Sequence, residues 1–139
     1  MVSKPRITHI NLFIDMKFIT TKVHGVLDYL VGIALILAPT LFGFSEIGGP
    51  AVLVPQVLGI GLIVYSLFTH YELGLFKVIP MKVHLTFDFI ASAFLALSPW
   101  IFGFADQAIN VWAPHLVVGI VVIIVVLVSQ GSSSKVNTV

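Results

Sequence analysis

Four stretches of this chain, at about 23–44, 51–69, 83–104 and 111–129, are apolar for long enough to cross a lipid bilayer. Each meets the roughly 17 to 25 residues that a spanning helix needs. Hydrocarbon offers the backbone no hydrogen-bond partners, so each stretch must satisfy its own amides by coiling. The composition agrees: only 9% of residues are charged and the mean hydropathy is +1.11, whereas soluble domains carry about 25% charged residues. The expected fold class is an all-α membrane protein with four transmembrane helices.

Polar punctuation divides these runs into two hairpins. Ser45, Glu46, Gly48, Gly49 and Pro50 break the first pair, and Asp106, Gln107 and Asn110 break the second. The connection between the pairs, 70–82, is longer and carries Glu72, Gly74, Lys77 and Pro80. The expected organisation is an N-terminal segment at 1–21, a transmembrane domain at 22–130 and a disordered tail at 131–139. In the first segment Ile10, Phe13, Ile14 and Phe18 recur near helical spacing, as in an amphipathic helix lying in the headgroup layer. Asp15 and Lys17 interrupt its apolar residues, so it does not read as a cleavable signal peptide.

All seven Lys and Arg lie on one side of this scheme. Lys4, Arg6, Lys17 and Lys22 precede the first span, Lys77 and Lys82 separate the second from the third, and Lys135 follows the fourth. The positive-inside rule then puts both termini and the middle connection in the cytoplasm, with the hairpin tips outside, most simply in a bacterial inner membrane.

The two hairpins are copies. Laying 22–44 over 82–104 at an offset of 60 gives ten identities in 23 positions, among them His24/His84, Asp28/Asp88, Pro39/Pro99, Phe42/Phe102, Gly43/Gly103 and Phe44/Phe104. Shared hydrophobicity does not bring His, Asp, Pro and Gly into register, so the pattern reads as a duplication of one unit (22–70 and 82–130). Each unit holds two spans and enters the membrane in the same direction, which predicts a pseudo-two-fold axis along the membrane normal. The second helices match less well, and Pro55 aligns with Pro114 only through a one-residue insertion.

The stretch Ser98-Pro99-Trp100-Ile101-Phe102-Gly103-Phe104 resembles the signature of the SPW-repeat family, small membrane proteins named for a Ser-Pro-Trp motif within a repeat of two transmembrane helices. The first copy, Ala38-Pro39-Thr40-Leu41-Phe42-Gly43-Phe44, keeps Pro and Phe-Gly-Phe but departs at Ser and Trp. The resemblance spans both repeats and implies four spans in a bacterial-type membrane protein, with no activity to carry over. Physically the motif reads as a helix exit: Pro removes a backbone donor, Gly admits unusual backbone shapes, and Trp favours the interface.

The candidate site is the quartet His24, Asp28, His84 and Asp88. Spacing of four puts each pair on one helical face, and Asp28 lies below the headgroups, where contact with lipid would be costly. The face continues through Gly32, Ser92 and Ala96, small residues that allow spans one and three to pack with these stripes facing. Antiparallel partners bring Tyr65, Ser66, Thr69, His70, Ser129 and Gln130 to the same layer. Three readings stay open: the quartet fixes packing, it handles protons or cations, or it binds Zn²⁺, Fe²⁺ or a haem between the two imidazoles.

Other classes lose support. There is no basic patch with interleaved aromatics for nucleic acid, no cysteine for thiol chemistry, and no phosphate loop or nucleophile elbow. The chain is expected not to be an enzyme and to need no cofactor, with the bilayer and a second copy or another membrane protein as its partners. His9, His70 and His115 read as interfacial or hydrogen-bonded residues, and Glu46, Glu72 and Asp106 as solvated loop charges.

Overall fold

The computed structural model describes residues 16–132. Its helices are α1 (Thr21–Leu41), α2 (Gly49–Leu67), α3 (Met81–Ile101) and α4 (Ile109–Leu127), with one 3₁₀ turn at Ser45–Ile47. All four are long and apolar enough to span a bilayer. The positions proposed for an interfacial helix lie outside the described residues except Phe18, which is exposed and not helical. The hairpin turns mark a tip end; residues 16–20, 68–80 and 128–132 gather at the opposite, tail end.

Helices α1 and α3 stop three residues before their apolar runs do, because Phe-Gly-Phe leaves the helix. At the end of α1, Gly43 adopts φ +71°, and the Phe44 and Gly43 amides bond the carbonyls of Pro39 and Thr40 at 2.8 and 3.3 Å. This is a Schellman exit, which needs a residue tolerant of positive φ after the cap. Gly103 repeats the φ, and Phe104 bonds Pro99 at 2.8 Å. Phe44 and Phe104 turn inward and are buried with Ala38, Ala51 and Val111.

Ser98 shows what the Ser of Ser-Pro contributes. Pro99 has no N–H for the Leu95 carbonyl one turn back, and the Ser98 hydroxyl donates to that carbonyl at 2.7 Å. Ala38 has no hydroxyl for the same task in α1. Trp100 is exposed at the tip end, with its ring 6.3 Å from that of Trp112.

Two sequence expectations are corrected. The small residues do not join α1 to α3; they let the helices of each hairpin touch. A Cβ on Gly59 would stand 2.6 Å from the Gly32 carbonyl oxygen, and one on Gly119 would stand 2.6 Å from that of Ser92. The α1/α2 and α3/α4 pairs therefore carry the extensive packing, while the backbones of α1 and α3 stay apart. The second correction concerns the inserted residue. Helix limits, Gly59/Gly119 and Thr69/Ser129 all keep the offset of 60, so Pro55 stands opposite His115 instead of Pro114.

Contacts between the hairpins at the tail end are reciprocal. The Ile19 amide bonds the Val128 carbonyl at 3.0 Å and Ile79 bonds Phe68 at 2.8 Å; Gln130 bonds back to Ile19 at 2.9 Å and His70 to Ile79 at 2.8 Å. Each repeat's lead-in segment is thereby pinned to the exit of the other repeat, which fixes where Ser129 and Thr69 sit.

Candidate functional site

His24, Asp28, His84 and Asp88 converge, all four buried, with one ligand-type atom from each within 4.8 Å of the others. The pairing crosses between repeats as well as running along each helix. His24 Nε2 lies 3.2 Å from Asp28 and 2.9 Å from Asp88; His84 Nε2 lies 3.0 Å from Asp28 and 3.1 Å from Asp88. Helical spacing puts His and Asp of one helix on one face, and the meeting of the two faces closes the ring.

The outer nitrogens determine the tautomers. Ser129 Oγ donates to the Val125 carbonyl at 2.6 Å, and Thr69 Oγ1 donates to the Tyr65 carbonyl at 2.8 Å. A hydroxyl has one hydrogen to give. Ser129 Oγ, 2.8 Å from His24 Nδ1, and Thr69 Oγ1, 2.7 Å from His84 Nδ1, therefore accept. Both Nδ1 atoms carry hydrogen, and both Nε2 atoms are turned to the carboxylates.

Two arrangements make that geometry favourable. Each Nε2 can carry a second proton, giving two imidazolium and two carboxylate groups, net charge zero. Alternatively both Nε2 lone pairs and both carboxylates can hold one divalent ion, which also sums to zero. The two imidazoles differ: His24 Nε2 is hydrogen-bonded to Asp88 Oδ2 at 2.9 Å, whereas His84 Nε2, 3.0 and 3.1 Å from carboxylate oxygens, makes no directed hydrogen bond with either and is the nitrogen left open to an ion. The four nitrogen–oxygen contacts use both oxygens of Asp28 and one of Asp88, and one atom from each residue lies within 4.8 Å of the others, against about 3.3 Å between the ligand atoms of a tetrahedral zinc ion, so the side chains would draw in around an ion.

An outer layer of hydrogen bonds orients every member of the quartet. Tyr65 donates to Asp88 Oδ1, and Tyr71 donates to Asp28 Oδ2 at 2.9 Å. With Thr69 and Ser129 on the imidazoles, each ligand-type residue has its own partner, the pattern that metal-binding His and carboxylates require. Tyr71 lies in the connection between the repeats. Burial, and next the charge of Asp28, push its hydroxyl above the usual tyrosine range, so it stays a neutral donor.

Of the neighbours expected from sequence, Tyr65, Thr69 and Ser129 join the site. Ser66 is buried beside them without a partner for its hydroxyl. His70 is exposed, and Gln130 reaches the Lys17 carbonyl at 3.2 Å instead. Tyr71 was not among the candidates, since a loop residue 43 positions from Asp28 carries no helical spacing to betray it. Glu72 is exposed, as expected of a loop charge, and also accepts from the Thr21 hydroxyl at 2.8–2.9 Å, and this bond ties the loop beside Tyr71 to the start of α1.

A family model for the SPW repeat domain matches residues 22–129, most of the chain and both hairpins. The chain belongs to the SPW-repeat family. No curated protein and no solved structure matches it. The haem alternative does not fit this SPW-repeat protein: the imidazole rings stand edge-on with centroids 5.4 Å apart, and both carboxylates face the nitrogens that would have to bind iron.

His115 belongs to a different place. It is buried at the tip end between the rings of Phe44 and Phe104, with centroid distances of 5.7 and 4.9 Å, and its Nε2 donates to the Ala51 carbonyl at 3.0 Å. That carbonyl is the one whose helical donor would be the N–H that Pro55 lacks. The His of one repeat therefore completes the helix that the Pro of the other interrupts.

Proposed function

We propose that this SPW-repeat protein binds a first-row divalent metal ion of the zinc type between its two hairpins, through His24 Nε2, His84 Nε2 and the carboxylates of Asp28 and Asp88. The observation that carries the reading is the tautomer. Hydrogen bonding commits both Nδ1 atoms to Thr69 and Ser129, which leaves both Nε2 atoms, turned to the two carboxylates, as the positions that can take an ion. Borderline ions accept this nitrogen and oxygen set, and its neutral total charge limits the cost of burial.

The lysines described at the tail end favour a cytoplasmic site with the hairpin tips outside, in a bacterial inner membrane. The role is that of a binding protein rather than a catalyst, because all four side chains are buried and turned to one another, and none is presented to an organic substrate.

Titration of the detergent-purified protein with Zn²⁺, followed calorimetrically, tests this. One ion should bind per chain, and Asp88→Asn and His24→Ala should each abolish the heat while circular dichroism stays helical. A native protein that binds no Zn²⁺, together with variants that lose only thermal stability, would leave the quartet a packing device and end the metal reading.

A further inference from the structure

Two cavities lie in series between the hairpins. The inner one, about 30 Å³, is walled by Asp88 and Tyr65 of the site together with Ser92, room for about one water molecule. The outer one, about 180 Å³, runs past His115 to Leu41 and Phe42, both exposed at the tip end. Leu35 and Leu95 line both cavities. They are equivalent positions of the two repeats, both buried, and they occupy the seam where the backbones of α1 and α3 stay apart.

We propose that this seam is a cation path through the membrane, with the quartet as its tail-end binding site and the Leu35/Leu95 pair as a hydrophobic gate. The proposal rests on the metal reading and extends it from binding to passage. Apolar constrictions close a pore by excluding water and open when they widen. A gate made of one residue from each hairpin opens when the hairpins part by a small amount at the tip end. The contacts there are apolar rings and two side-chain hydrogen bonds to carbonyls, His115 to Ala51 and Asn110 to Phe42 at 2.9 Å, whereas the tail end is locked by the quartet. Beyond the gate His115 Nδ1 is a buried nitrogen without a hydrogen-bond partner. Its Nε2–H is committed to Ala51, so this nitrogen keeps its lone pair and offers a stopping point in an otherwise apolar cavity.

Thiol labelling tests the path, and the chain contains no cysteine of its own. Ala38→Cys puts a thiol on the outer wall and Ser92→Cys one on the inner wall. A membrane-impermeant methanethiosulfonate added from the tip side of reconstituted vesicles should modify A38C and spare S92C. Adding Leu95→Ala should make S92C reactive. Leu35→Ala, the same change in the other hairpin, should do likewise and serves where L95A fails to assemble.

In vesicles loaded with a Zn²⁺-sensing dye, L95A or L35A should raise Zn²⁺ entry several-fold, and Asp88→Asn on that background should return it to the level of protein-free vesicles. S92C protection that survives both gate variants overturns the path while leaving Zn²⁺ binding in detergent untouched. Entry that persists with D88N overturns it as well, as a leak that bypasses the site. Absence of Zn²⁺ binding to the native protein overturns the site and the path together.

Discussion

The two ends of the bundle join the same pair of hairpins by opposite means. At the tail end four ionisable side chains interlock, the carboxylates accepting from Tyr65 and Tyr71 and the imidazoles donating to Thr69 and Ser129. At the tip end the join is Phe44, Phe104 and His115 beside an apolar cavity of about 180 Å³, with one exposed hydrogen bond from Asn110 to the Phe42 carbonyl. Directional bonds between buried polar groups cannot shift without leaving a group unpaired, whereas ring contacts slide at little cost. The bundle thus has one seam of interlocked buried ionisable groups and one made mostly of ring contacts.

The largest test of this contrast is to break the interlocked end. Asp28→Ala leaves two imidazoles facing one carboxylate and removes the partner of Tyr71, and the loss in unfolding free energy should be about 3–5 kcal/mol by denaturant titration in detergent. A loss below about 1 kcal/mol would remove the distinction between the ends.

Next comes the outer layer of the site. Thr69→Val combined with Ser129→Ala frees both imidazoles to rotate, and Zn²⁺ affinity should fall by about 10–100-fold with little change in helix content. In the native protein the same affinity should decline as pH falls, because protons compete for the nitrogens and carboxylates that the ion needs. Unchanged affinity across pH would argue against these ligands.

The tip end should yield less. His115→Phe keeps the ring packing but leaves the Ala51 carbonyl without its donor, a cost of about 1–3 kcal/mol, below that of Asp28→Ala when both are measured in the same detergent. Smallest is Ser98→Ala, where one hydroxyl bond to the Leu95 carbonyl is lost, about 1 kcal/mol by thermal denaturation. The reverse change, Ala38→Ser, should stabilise α1 where Pro39 leaves the same gap.

Much of this architecture was legible because lipid leaves the backbone few choices. Apolar length gave four helices, and the offset of 60 gave both the duplication and the quartet, since His and Asp in register have no reason in hydrophobicity alone. The ends of α1 and α3 lie three residues earlier than hydropathy places them because Phe-Gly-Phe is as apolar as the helix it terminates. The inserted residue was misread because two prolines were paired by identity, when Pro55 and His115 are partners by function. The small-residue face was placed correctly on each helix but given the wrong neighbour, as periodicity says which residues share a face and not what that face meets.

The chain by itself determined how many times it crosses, where it turns, that it repeats, and which four ionisable residues recur at equal depth. These are local or periodic properties, set by hydropathy and by what backbone amides require in hydrocarbon. Only the tertiary structure decided that His24 answers to Asp88 and His84 to Asp28, that a loop tyrosine closes the site, and that His115 completes a helix 64 residues away. Such partners are chosen by how two whole hairpins meet, and no spacing along one helix carries that information.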